Sequence, residues 1–146
     1  MTEIKKKILL VDDDKFLVDM YTVKFTAADF DITPAFSGEA ALEVLKTGFI
    51  PDIIILNASI QLSDMRQSYA HDRGHDVLKV NLEGPLRCVE LFLPMFLERG
   101  GGTFVSIAST SALRPSTQSA SYSASKAGIA MAFRTSRYKE VSRTNP

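Results

Sequence analysis

The sequence predicts a three-layer α/β sandwich whose middle layer is a parallel sheet of about four strands. Three observations predict it. Two apolar runs, Ile8 to Val11 and Ile53 to Leu56, carry no polar interruption, as strands covered on both faces do. Between and after them lie stretches with apolar residues at helical spacing. The two kinds alternate along the chain, which is the pattern of parallel strands joined by right-handed helical crossovers.

The first strand spans 8–11. From Lys15, Phe16, Met20, Val23 and Ala27 line one face of a helix, expected to be its buried face. A second strand covers 31–36. Ser37 then N-caps a helix with Ala40, Ala41, Val44 and Leu45 inward, closed by Gly48 at a position that tolerates positive φ. Pro51 and Asp52 lead into a third strand, 52–56. Residues 57–75 read as polar and irregular. A long helix from about Asp76 to Glu98 turns Leu78, Leu82, Val89, Leu93 and Phe96 inward, with Pro85 bending it. The triplet Gly100-Gly101-Gly102 precedes a strand instead of following one, so it reads as a turn and not as a phosphate cradle. The fourth strand is 103–107, a Ser/Thr-rich loop follows, and a last helix runs from about Ala120 to Glu140.

The natural strand order is 2-1-3-4 within a single domain, 1–146. That order leaves 103–107 at an edge with unpaired backbone groups and predicts a homodimer through it, by edge pairing or strand exchange.

Composition bounds the function. With 45% hydrophobic and 23% charged residues the chain is globular, neither fibrous nor disordered. The 17 basic residues balance 17 acidic ones, which argues against a nucleic-acid surface and a polybasic membrane anchor. No apolar run reaches the roughly 18 residues of a membrane span, and the start, MTEIKKKILLVDDD, reaches acids too soon for a secretory signal, so the expected location is the cytoplasm. Cys88 sits in an apolar helical pattern and reads as a buried structural thiol. His71 and His75 lack companions at metal-ligand spacing and read as surface residues. The zero net charge conceals a seam. Up to Leu56 there are six Lys, no Arg and ten acids, net −4; from Asn57 on there are three Lys, eight Arg and seven acids, net +4.

The segments on either side of that seam resemble different families. IKKKILLVDDDKFLVDMY, FSGEAALEVLK and PDIIIL, within residues 4–56, resemble the receiver domain of two-component response regulators, a flavodoxin-like fold. The resemblance implies that Asp12 and Asp13 would help hold Mg²⁺ and that the residue after the third strand would take the phosphoryl group. That residue is Asn57, which carries no charge and cannot form an acyl phosphate. The lysine-bearing strand that completes a receiver site is not found.

From Asn57 the pieces NAS (57–59), VNLEG (80–84), GGTFVSIAST (101–110) and YSASK (122–126) resemble the middle of a classical short-chain dehydrogenase/reductase, a Rossmann-like fold. The resemblance implies that Ser109 orients a substrate carbonyl, Tyr122 acts as general acid/base, Lys126 stabilises its phenolate and reaches the nicotinamide ribose, and Asn81 completes a tetrad. It also places Asn57 beside the cofactor. Tyrosine is a poor base at neutral pH until a neighbouring cation stabilises the phenolate, and i,i+4 spacing on a helix supplies one.

None of the eight glycines, at 38, 48, 74, 84, 100, 101, 102 and 128, makes TGxxxGxG or GxGxxG, and the corresponding turn is Val11-Asp12-Asp13-Asp14. The segments that would bind substrate and complete the sheet are expected to be absent, since the sequence stops at RYKEVSRTNP. The sequence is therefore read as a recombinant flavodoxin-like/Rossmann-like hybrid: a folded scaffold without native activity or bound cofactor. Two alternatives stay open. One is a residual NAD(P)-dependent oxidoreductase using Ser109, Tyr122 and Lys126; the other is an Mg²⁺-binding receiver remnant.

Overall fold

The computed structural model describes residues 5–61, 71–114 and 119–141. Part of the polar stretch (62–70), part of the Ser/Thr-rich loop (115–118) and the last residues (142–146) lie outside them. The elements are β1 (Lys7–Val11), α1 (Lys15–Ala27), β2 (Asp31–Ala35), α2 (Gly38–Lys46), β3 (Ile53–Leu56), α3 (His71–Leu78), a π-helical segment (Lys79–Glu83), α4 (Gly84–Glu98), β4 (Thr103–Ser106), a 3₁₀ turn (Thr110–Ala112) and α5 (Ala120–Val141). The chain divides into two compact units, Met1–Ala58 with Arg87–Ile107, and Ser59–Leu86 with Ala108–Pro146.

The first unit holds the whole sheet, four parallel strands in the order β2-β1-β3-β4 as the sequence predicts. In register, Ile8 stands beside Ile32 and Ile53, and Leu10 beside Pro34 and Ile55. These positions form one face. Val18 of α1 is buried against Ile8, Leu10 and Ile55, with Tyr21, Phe25 and Phe30 around it. The three rings form a tilted and then an edge-on pair, at 6.1 and 5.9 Å between centroids. On the other face Phe104, which pairs with Ile54, meets Phe96 of α4 at 4.8 Å.

At the lower end of the sheet one residue ties three strands together. Asp52 accepts from the Lys7 N–H at 2.8 Å and from the Arg99 guanidinium, while its carbonyl accepts from Thr103 N–H at 2.9 Å. These bonds hold the Asp52 carboxyl below its ordinary pKa, the Lys7 amide first and Arg99 second. Arg99 also donates to the Pro51 carbonyl at 2.6 Å.

The glycine triplet is a turn, as expected. Gly100 has φ +79°, and Gly101 N–H closes α4 on the Phe96 carbonyl at 2.9 Å. At Gly102 the backbone passes so close to the Phe96 ring that a Cβ would overlap it. Gly48, at φ +83°, ends α2 as predicted.

Two helix faces differ from the sequence reading. On α1, Phe16 is 76% and Val23 70% exposed, Ala27 is exposed and Met20 half-buried, so the predicted inner stripe points outward. The Asp14 cap fixes where the helix begins, and the turn it takes there presents Val18, Tyr21 and Phe25 to the sheet. Those rings offer more area to bury than Val23 and Ala27 do. On α4, Phe92 and Phe96 are buried whereas Leu93 is exposed and Val89 half-buried. Cys88 is half-buried, and burial, with Glu39 nearby, pushes its thiol pKa up, which suits an unreactive thiol.

The predicted single helix from Asp76 to Glu98 begins earlier, at His71, and is interrupted by the π-helical segment at Lys79–Glu83. Gly84 N–H reaches back five residues to the Lys79 carbonyl. Pro85, next in line, has no N–H to give the Asn81 carbonyl four residues back, so the widened turn absorbs the missing bond that the sequence reading assigned to a bend. In the second unit α5 packs on α3, on the π-helical segment and on the 3₁₀ turn. Gly128 makes the approach to the π-helical segment close, since a Cβ there would stand 3.2 Å from Leu82. The His75 side chain is exposed, and that of His71 lies outside the described side chains.

Candidate functional site

All four residues of the expected tetrad, Asn81, Ser109, Tyr122 and Lys126, fall in the second unit. Asn81 sits in the π-helical segment and is buried. Its side chain clamps the backbone of Ile60 from both sides, Oδ1 accepting from the Ile60 N–H and Nδ2 donating to the Ile60 carbonyl, each at 2.8 Å. The same Nδ2 donates to the Ser125 hydroxyl at 3.2 Å. Ser125 in turn donates to the Tyr122 carbonyl at 2.7 Å, a bond from a helix-interior serine to the carbonyl three residues back. One buried amide thus joins the segment after β3, the π-helical segment and the start of α5.

Tyr122 and Lys126 lie one turn apart on α5, so their side chains share a face. The Lys126 Nζ lies over the Tyr122 ring, 5.7 Å from its centroid. Only 4% of Lys126 is exposed, and this burial lowers its pKa from the ordinary lysine value of 10.5. Tyr122 is half-buried. A phenol beside a desolvated amine is a pair suited to giving and taking a proton, because the cation stabilises the phenolate most where water is scarce. Ser109 precedes the 3₁₀ turn that packs on α5, and its hydroxyl accepts from Ser111 N–H at 3.2 Å, leaving its own proton to donate.

The acidic turn after β1 belongs to the first unit. Asp12 is 2% exposed; its Oδ1 accepts from Asp14 N–H at 2.8 Å and its Oδ2 from the side-chain amide of Asn57. Asp13 is exposed. Asp14 caps α1, its Oδ1 accepting from Phe16 N–H at 2.9 Å and Leu17 N–H at 3.1 Å. Of the three aspartates, Asp14 is thus the helix cap. Among the described residues no group of three His, Cys, Asp or Glu side chains is arranged to hold a metal ion, and no helix is long and apolar enough to cross a membrane.

Ser125 and Ile60 are participants that the sequence reading did not single out. Ser125 could have been found from its place inside the YSASK segment, three residues after Tyr122. Ile60 contributes only backbone atoms and leaves no side-chain signal.

The short chain dehydrogenase family model matches residues 15–145. A ketoacyl reductase of Nostoc is 34% identical over 80 residues, covering 55% of this chain and 28% of the reductase. An uncharacterized oxidoreductase of Staphylococcus epidermidis is 32% identical over 93 residues, 64% of this chain and 40% of that protein. The chain thus spans less than half the length of these curated relatives. Among solved structures, L-sorbose reductase from Gluconobacter frateurii, complexed with NADPH and L-sorbose, superposes with a TM-score of 0.75 at 15% identity, covering 95% of this chain and 66% of that one. Levodione reductase does so with a TM-score of 0.73 at 21% identity, covering 92% and 66%.

Proposed function

The chain belongs to the short chain dehydrogenase family, and from that premise we propose that it is an oxidoreductase-family fragment carrying the proton-transfer half of a site on a scaffold that does not take up a dinucleotide in the family's manner. In the proton-transfer half Tyr122 is the acid/base, Lys126 stabilises its phenolate, Ser109 donates to a substrate oxygen, and Asn81 holds the Ile60 and Tyr122 backbones in register.

The capped N-terminus of α1 is what opposes dinucleotide binding. A pyrophosphate bound between a first strand and its helix needs the free N–H groups of that helix and glycines that let it approach. Here the Asp14 carboxylate already occupies the N–H groups of Phe16 and Leu17. Asp12 and Asp13 add carboxylates to the same turn, and each opposes a phosphate charge by roughly 1 to 4 kcal/mol at 4 Å. The residues present do not fit a dinucleotide there, so no hydride step is derived.

The same turn supports reading the first 56 residues as receiver-like and the whole as a recombinant hybrid without native activity. The family match, by contrast, runs from residue 15 to residue 145 across positions 56 and 57, and so favours a short chain dehydrogenase origin for residues 15–56 as well. A residual NAD(P)-dependent oxidoreductase is the second reading, favoured by the buried Lys126 over the Tyr122 ring and by NADPH in the L-sorbose reductase structure. An Mg²⁺ site at Asp12 is disfavoured because, among the described residues, no group of three His, Cys, Asp or Glu side chains is arranged to hold a metal ion and Asn57 adds no charge.

NADPH fluorescence titration of the full chain separates the two readings. The expected result is no saturable enhancement up to millimolar cofactor. Saturable binding that Tyr122→Phe or Lys126→Ala abolishes would establish the second reading instead.

A further inference from the structure

The exposed stripe on α1 has the spacing of a helix-pairing seam. Phe16, Met20, Val23 and Ala27 follow one another at intervals of four, three and four, the alternation of a coiled-coil a/d repeat. Val18 and Phe25, which bury against the sheet, lie on the opposite side of the helix, two residues after Phe16 and Val23. A second helix can therefore dock on the stripe without displacing anything that holds α1 to its own sheet. Asp19 flanks the stripe on one side and Lys24 on the other.

We propose that this stripe is where two copies of the chain pair, α1 against α1 and parallel. The charges choose the orientation. With Phe16 and Val23 at d and Met20 and Ala27 at a, Asp19 falls at g and Lys24 at the following e, the two positions that meet across a parallel dimer. Asp19 of one copy then faces the partner's Lys24, and the two-fold axis repeats the pair. An antiparallel arrangement sets Asp19 opposite Thr26 and Lys24 opposite Leu17, with no ion pair formed. Lys15 already bonds Asp19 Oδ2 within the helix at 2.9 Å, and the second carboxylate oxygen is the acceptor for the partner's Lys24. Four side chains per copy fall short of the roughly 1,200 Å² of a stable interface, so the association is weak and is read at high protein concentration.

Sedimentation equilibrium of the full chain from about 10 micromolar to about 1 millimolar tests this, with circular dichroism as the check on folding. The parent should shift from monomer to dimer across that range, and Phe16→Glu with Val23→Glu should stay monomeric. Asp19→Lys alone and Lys24→Asp alone should each weaken association about tenfold, while an equimolar mixture of the two variants should recover it, because each supplies the charge the other lacks. A parent that is monomeric at 1 millimolar overturns the proposal, as does a mixture that fails to associate.

The competing arrangement is pairing through β4. Thr103 and Ile107 N–H point to β3, so the Ser106 N–H points outward. Loss of the dimer in Ser106→Pro, with the charge variants without effect, would assign the interface to that edge and overturn the α1 pairing.

Discussion

The side-chain amide of Asn57 donates to the carboxylate of Asp12, joining the end of β3 to the end of β1 at the point where the backbone N–H of Asn57 also bonds the Val11 carbonyl, at 3.0 Å. Asp12 is buried, and its other oxygen takes the Asp14 N–H, so a neutral donor at position 57 satisfies a charge that would otherwise lack one of its partners.

Asn57→Asp sets two carboxylates against each other at that joint. The variant should lose about 1 to 4 kcal/mol at pH 7. Urea unfolding of parent and variant at pH 7 measures it.

Asp52 links stability to pH through its depressed pKa. Its folded pKa lies below the ordinary value of 3.8, held there first by the Lys7 N–H and then by Arg99. The unfolded chain therefore binds this proton first, and the stabilisation is complete above pH 3.8 and is lost as the pH falls through the lower folded value. Asp52→Asn should cost about 1 kcal/mol at pH 7, a figure kept small because the pair is partly exposed, and the cost should shrink as the pH falls below 3.8, as urea unfolding at the two ends of that range would show.

Lys126 gives the same sign at higher pH. Burial lowers its folded pKa beneath 10.5, so the charged form is disfavoured in the native state and stability rises as the pH climbs from the folded toward the unfolded value. Lys126→Met lacks this titration. The stability of the parent relative to the variant should improve as the pH is raised toward 10.5, which a series of thermal unfolding curves would show.

At the α4–β4 turn two neighbouring glycines should behave differently. Gly102→Ala forces a methyl group into the Phe96 ring and should cost about 1 to 3 kcal/mol. At Gly101 nothing lies within 4 Å of an added Cβ, so Gly101→Ala should be within about 0.5 kcal/mol of the parent. Denaturant midpoints of the pair provide the comparison.

Much of the sheet was legible from sequence because its strands are short apolar runs whose burial on two faces leaves no polar residue inside. Ile8 to Val11 and Ile53 to Leu56 identify themselves in this way, and the strand order follows from the alternation with helices. The residues of the candidate site were legible through their motifs. Their connections were not: the chain of bonds from Ile60 through Asn81 and Ser125 to the Tyr122 carbonyl uses backbone atoms and one ordinary serine.

By itself the sequence determined which segments become strands and helices and where glycine must stand, since these depend on local spacing and on the conformational limits of single residues. Tertiary structure alone decided which side of each element does the work. On α1 apolar residues occur all round the helix, and docking on Ile8, Leu10 and Ile55 selected Val18, Tyr21 and Phe25 and left Phe16 and Val23 outside. At the acidic turn three aspartates are alike in sequence, and only their positions in space make Asp12 a buried acceptor for Asn57, Asp13 an exposed carboxylate and Asp14 the helix cap. Such choices rest on the competition of several faces or groups for one partner, and that competition is settled by packing between segments distant in the chain.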